Sequence, residues 1–301
     1  MALTQYRHLR PGHHRFSIIF ACLALAGLAL TACSLVAPEH PEPTGRVVTH
    51  EIRSDSVRDN YVISVRLPPA YSATPASPYP VLFQLDVNLG ILDEFNVTCG
   101  YVSDYEASGQ IPPTIVVGIG YPEDYDVDAM RARDYTIPME NPPVPANAKG
   151  GAKAFGAFIS QELIPFLQAR YPIAGPARRA LLGHSLGGLF TLYHFLQHDD
   201  ATTITGFVAA SPSIWFDGGT IYKSLDVLDS RTLATRCILY LTMGDLEGPD
   251  MVPYFDDFRA KISSRNYGWL RFSAQKYNTD HLKNISPSFR DGIKYLFAQG
   301  L

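Results

Sequence analysis

Residues 178–192, Arg-Arg-Ala-Leu-Leu-Gly-His-Ser-Leu-Gly-Gly-Leu-Phe-Thr-Leu, constrain the fold of this chain more than any other stretch. Ala180-Leu181-Leu182 is a short apolar strand run. Gly183-x-Ser185-x-Gly187 follows it, and Leu186, Leu189, Phe190 and Tyr193 then recur at helical spacing. Strand, tight turn and helix in that order are the sequence form of a nucleophile elbow. A side chain two residues before or after the serine would clash inside such a turn, and glycine at both places removes the clash. Ser185 is therefore expected at the tip with its hydroxyl exposed. The N–H of Leu186, at a helix N-terminus, is placed to help bind an oxyanion. A five-residue motif is short evidence; the strand and helix patterns around it give it meaning, and together they imply a serine hydrolase.

Strand runs and helical patterns alternate along the rest of the chain. Two β-rich segments, about 46–53 and 60–67, suggest an antiparallel pair at a sheet edge. Further strands are expected at Val81–Leu85, Thr114–Ile119, Ala180–Gly183, Gly206–Ala210, Ile238–Met243 and Leu270–Ala274. Helices are expected near 150–170, 186–198, 252–264 and 286–298. That alternation implies an α/β fold with a mostly parallel central sheet and helices on both faces. In such sheets ligands bind outside the carboxyl ends of the strands, where Ser185 lies. The long proline- and acid-rich connection 121–149 is expected to fold over the rim of the site, and 211–235 to supply the opposite wall.

The first 32 residues read as a signal peptide. Arg7, Arg10 and Arg15 form a basic region without acids, and Ile18 to Leu30 is an apolar run too short to favour a membrane span. It ends in Leu30-Thr31-Ala32-Cys33, which resembles a bacterial lipobox, with Cys33 as the lipidated residue. Ser34, rather than aspartate, points to outer-membrane sorting. Residues 33–44, with three prolines, read as a lipid-anchored tether, and 45–301 as the catalytic domain. The expected location is the cell envelope, on the periplasmic face of the outer membrane. Losing the three arginines takes the formal net charge from −4 to −7, which argues against nucleic acid or an anionic membrane surface as partner. No Cys/His cluster suggests a metal, and no cofactor is implied.

A serine hydroxyl needs a base at neutral pH. His8, His13 and His14 leave with the signal, His40 is in the tether, and His50 is near the first strand. His184 points away from its neighbour's hydroxyl, and His194 and His198 lie on the helix leaving the elbow. His281, in the loop between the last strand and the last helix, is where the base belongs in the order nucleophile, acid, histidine. The acid should follow the strand 238–243, where Asp245, Glu247 and Asp250 compete. The second oxyanion donor should come from the loop after Val81–Leu85, with the N–H of Asn88 as the choice. Arg131, Arg133 and Trp215 are rim candidates for binding an acidic or aromatic acyl group.

These pieces together resemble the putative-esterase family of α/β hydrolases, which includes esterase D-like enzymes and siderophore trilactone esterases. The run Tyr79-Pro80-Val81-Leu82-Phe83-Gln84-Leu85-Asp86 is similar to the family's strand into its oxyanion loop. Arg133-Asp134-Tyr135-Thr136 and Ser211-Pro212-Ser213-Ile214-Trp215 resemble two further signatures, and His281-Leu282 its histidine loop. In Gly244-Asp245-Leu246-Glu247 the resemblance favours Glu247 as the acid. It implies an α/β-hydrolase fold and a small-molecule ester substrate, with a siderophore as one candidate. Two other readings share the same residues: acyl transfer to a sugar or lipid acceptor, and a lipoprotein that captures a siderophore without turnover.

Overall fold

A computed structural model of the chain describes residues 40–87, 94–138, 150–197, 203–229 and 234–301. The expectations for the signal segment, Cys33 and Asn88 lie outside these residues. In chain order the elements are β1 (Arg46–Arg53), β2 (Asn60–Leu67), β3 (Val81–Gln84), α1 (Glu94–Ala107), β4 (Ile115–Gly120), α2 (Val127–Asp134), α3 (Ala152–Ala157), α4 (Ile164–Gln168), β5 (Arg179–His184), α5 (Leu186–Leu196), β6 (Gly206–Ala210), α6 (Ile221–Asp229), β7 (Cys237–Gly244), α7 (Val252–Arg265), β8 (Leu270–Tyr277) and α8 (Ile285–Ala298). A π-helical turn, Phe158–Leu163, joins α3 to α4.

Among the described residues eight strands form one sheet, ordered β1-β2-β4-β3-β5-β6-β7-β8. β1 pairs with β2, and β2 with β4, antiparallel; the pairings from β4 to β8 are parallel. β3 to β7 are buried throughout, or nearly so, as strands covered on both faces must be. Successive side chains alternate between two cores. Val81, Phe83, Leu181, Phe207 and Leu239 pack with α3 to α7. Leu82, Leu182, Val208 and Tyr240 pack with α1 and α8. This is the α/β-hydrolase fold.

The chain leaves β3 for β4 on one side and returns to β5 on the other, so the strand order reverses between β3 and β5. The crevice outside their carboxyl ends is the place where such a sheet binds ligands. Ser185 follows β5 and Asp86 follows β3 there.

Three helices, α1, α2 and α6, fall where no helix was expected. α1 buries Phe95, Thr98, Cys99, Val102 and Tyr105, a stripe of mixed chemistry that gives no aliphatic periodicity. α2 is an eight-residue polar helix inside the rim connection, started by the Asp126 carboxylate accepting from Ala129 N–H at 3.0 Å. The chain just before β1 is docked: the Thr44 N–H donates to Ser103 Oγ of α1 at 2.8 Å, and the buried Arg66 of β2 donates to the Thr44 carbonyl at 2.8 Å.

Candidate active site

Ser185 sits between β5 and α5 with φ 59° and ψ −118°, a backbone region that side-chain-bearing residues enter at a cost of roughly 1–3 kcal/mol. The two glycines make the turn possible. A Cβ on Gly183 would lie 2.3 Å from the Gly187 carbonyl oxygen, and one on Gly187 would lie 2.9 Å from Asp86 Oδ2. The turn is tied down by Ser185 N–H to the Ala210 carbonyl at 3.0 Å and by Ser213 N–H to the Ser185 carbonyl at 3.1 Å. Leu186 opens α5, and first-turn N–H groups have no acceptor inside their own helix. Ser185 Oγ lies 3.5 Å from Ser213 Oγ; no hydrogen bond joins it to His281.

His281 stands on the loop between β8 and α8. Its Nδ1 meets Glu247 Oε2 at 2.7 Å; a carboxylate there accepts from Nδ1–H, and in the neutral ring that tautomer presents Nε2 as the proton acceptor. The Glu247 side chain is fully buried, whereas the histidine side chain is 34% exposed. Of the three competing acids, Glu247 reaches the histidine; Asp245 and Asp250 are exposed. The other oxygen of Glu247 accepts from Gly244 N–H at 2.7 Å and from the Ser211 hydroxyl. Ser211, at φ 41°, in turn accepts from the buried Asn284 amide at 2.6 Å. A buried carboxylate met by three donors is fixed in rotamer. Ser211, Ser213 and Asn284 were not assigned roles from sequence. Only the fold brings their strand ends together, although Ser211 and Ser213 stood in a quoted signature.

His184 does point away from the serine, and it points at the histidine loop. Its Nε2–H donates to the His281 carbonyl at 2.9 Å, and the two rings lie 4.4 Å apart. Burial first, with His281 and Arg131 adding, pushes its pKa down to about 3, so it is neutral at pH 7. His184→Leu removes the donor beneath the loop and is expected to lower kcat by about 10- to 100-fold with KM little changed, while His184→Gln, which keeps an N–H, retains most activity. The same shift carries a pH signature. Because the folded value lies below the ordinary 6.5, the neutral histidine's contribution is complete above pH 6.5 and drains away as pH falls toward 3. Between pH 7 and pH 4 the wild type is expected to lose about 3 kcal/mol more than His184→Gln in urea melts. Parallel losses would show that His184 is not held neutral.

The chain leaving β3 is held by an ion pair. Asp86, buried and at φ 64°, accepts from Arg131 Nε at 2.7 Å and from Nη2 at 3.2 Å. Beside it Glu94 is buried, and desolvation with the Asp86 charge pushes its pKa up to about 8. Arg131 thus stands at the site, turned toward Asp86 rather than toward open space. Arg133 is not brought to the site: its guanidinium is taken up by Asp59, Asp134 and the Tyr61 hydroxyl. Trp215, two residues beyond Ser213, is half-buried, and its indole N–H has no partner among the described residues.

Known proteins resemble this chain over much of its length. The "Putative esterase" family pattern matches residues 54–248. The ferri-bacillibactin esterase BesA of Bacillus subtilis is 32% identical over 209 residues, covering 65% of this chain and 70% of that protein. The apo-salmochelin esterase of Escherichia coli O6:H1 is 26% identical over 80% of this chain and 74% of its own length. Among solved structures, the BES protein of Bacillus cereus superposes with a TM-score of 0.73 at 24% identity, covering 84% of this chain and 95% of that one. The chain belongs to the putative-esterase family of α/β hydrolases and is a carboxylic ester hydrolase.

Proposed function

We propose that this esterase works through an acyl-enzyme on Ser185, with His281 as base and Glu247 as the acid that orients it. The observation that carries this reading is the 2.7 Å bond from His281 to the fully buried Glu247 side chain, on loops beside a serine held at a strained elbow. Ser185 Oγ attacks the ester carbonyl as His281 Nε2 takes its proton. The oxyanion is received by the Leu186 N–H, with the N–H of Asn88 as the second donor. Glu247 steadies the imidazolium. Collapse breaks the C–O bond, and the proton passes from His281 to the departing alcohol. Water then attacks the acyl-enzyme with His281 as base again, releasing the acid.

The substrate class is a siderophore ester. The relatives named for ferri-bacillibactin and apo-salmochelin support it. A panel of ferric trilactone siderophores, short-chain esters and feruloyl esters tests the reading. The trilactones are expected to give the highest kcat/KM, and a clear preference for another ester would overturn the assignment. Added alcohol acceptors test for transfer, and binding without turnover would mark a capture protein.

Cys33 is the anchor, holding the domain at the periplasmic face of the outer membrane. The sequence around Cys33 supports this, and among the described residues no helix is long and apolar enough to cross a membrane. Cys33→Ser is expected to move the protein from the membrane fraction to the soluble fraction with unchanged specific activity. A wild-type protein found wholly soluble would count against the anchor.

A further inference from the structure

The N-terminal strap, residues 40–44, runs along α1 toward the catalytic end of the sheet. Thr44 is held at Ser103, in the second half of α1. From there back to residue 40 the chain runs against the helix so closely that a Cβ on Gly100 would lie 1.8 Å from the Pro41 carbonyl oxygen. His40 Nδ1 then meets the Tyr101 hydroxyl at 3.1 Å, and that hydroxyl meets Ser286 Oγ at 2.6 Å. Ser286 lies in the first turn of α8, directly after the His281 loop. α1 itself begins at Glu94, shortly after the loop that carries Asp86. Going from Thr44 to His40, the chain therefore climbs toward the end of the sheet where Ser185 and His281 stand.

Chain length decides what lies beyond. Six residues lie between Cys33 and His40, and the seven steps along the chain span at most about 25 Å however they are arranged. A domain of about 260 residues has a radius of gyration near 18 Å, hence a width of about 45 Å. A lipid on Cys33 cannot reach a bilayer lying beneath the opposite end. Independently, two of the four exposed large hydrophobic residues among those described flank the site. Leu246, 65% exposed, adjoins Glu247, and Leu282, 48% exposed, adjoins His281. Their loops are joined by Leu246 N–H to the Thr279 carbonyl at 3.1 Å. Apolar side chains at such a rim suit a headgroup boundary better than bulk water. With the mature chain at −7, charge does not draw it to a bilayer; the anchor and these leucines do.

We propose that the catalytic face is turned toward the phospholipid surface that holds the anchor, with Leu246 and Leu282 at the interface and the strap fixing the tilt. This rests on the reading of Cys33 as lipidated. An ester then reaches Ser185 through the narrow space between domain and bilayer.

The test uses the lipidated protein on phosphatidylcholine vesicles that carry a quencher lipid. Leu282→Trp places a reporter on the proposed face. Ala177→Trp places one at the opposite end, on an exposed residue just before β5. Each is read as quenching in excess of the parent, and both variants are first checked for normal hydrolysis of a soluble ester. Excess quenching for Leu282→Trp is expected to be at least about threefold that for Ala177→Trp, as an interfacial site requires. Equal or greater quenching for Ala177→Trp, on protein whose N-terminal mass shows the lipid, overturns the orientation alone. A mass showing unmodified Cys33 overturns the anchor and the orientation together. Lys283, 79% exposed beside Leu282, reads the same face without a reporter. Its reaction with an amine reagent should slow on vesicles relative to Cys33→Ser protein in solution, and an unchanged rate speaks against the proposal.

Discussion

Ser185→Ala is expected to lower kcat for ester hydrolysis by on the order of 10⁴ to 10⁶, with the thermal midpoint moving by no more than about 3 °C. The two halves of this result have separate causes. The hydroxyl's one side-chain contact among the described residues is a weak 3.5 Å approach to Ser213, so its loss costs the fold little. The elbow is held by the backbone of Ser185 and by Gly183 and Gly187, which the substitution leaves in place; alanine carries the same Cβ at the same positive φ. Chemistry loses the atom that forms the acyl-enzyme. A fluorophosphonate should label the wild type at Ser185 and leave the variant unlabelled. Retention of more than a tenth of the activity would sink the serine mechanism.

The parts of the fold legible in the sequence are those whose burial is written in aliphatic residues. β3 to β7 are apolar runs because parallel strands are covered on both faces, and α5 follows from Leu186, Leu189, Phe190 and Tyr193. α1 hid because it packs through Thr98, Cys99 and tyrosine rather than through leucine. α2 hid because its eight residues, half of them charged, bury only Ala132 and Asp134 and carry no apolar stripe. The two arginines of α2 show how a motif read as a string misleads. Arg131 and Arg133 are two apart on a helix, so they project to nearly opposite sides, and both could not line one rim. One reaches back to Asp86 and the other out to Asp59 and Asp134. The histidine could be singled out by its place in the chain order. The Ser211–Asn284 support of the acid could not, since residues 73 positions apart meet only when β6 and α8 have been brought together.

The acid is where the residues alone left Asp245, Glu247 and Asp250 open, and the geometry gives the sharpest contrast between Glu247 and Asp245. Glu247→Gln keeps the shape and removes the charge. The amide can no longer stabilise an imidazolium, and its NH₂ group turned toward Nδ1 would favour the wrong histidine tautomer. The Ser211 hydroxyl and the Gly244 N–H, both aimed at Glu247 Oε1, hold the amide oxygen on their side, which points the NH₂ at the histidine. A kcat loss on the order of 10² to 10⁴ with KM nearly unchanged is therefore expected. Asp245→Asn should change kcat by less than about twofold, because the exposed Asp245 is a weakly coupled surface charge. Serine labelling by a fluorophosphonate should slow in the first variant and not in the second, since it draws on the same base. The reverse pattern would move the role to Asp245. Near-normal rates in both would mean that Ser185 and His281 act as a dyad, with the buried carboxylate holding the loop in place rather than serving the proton transfer.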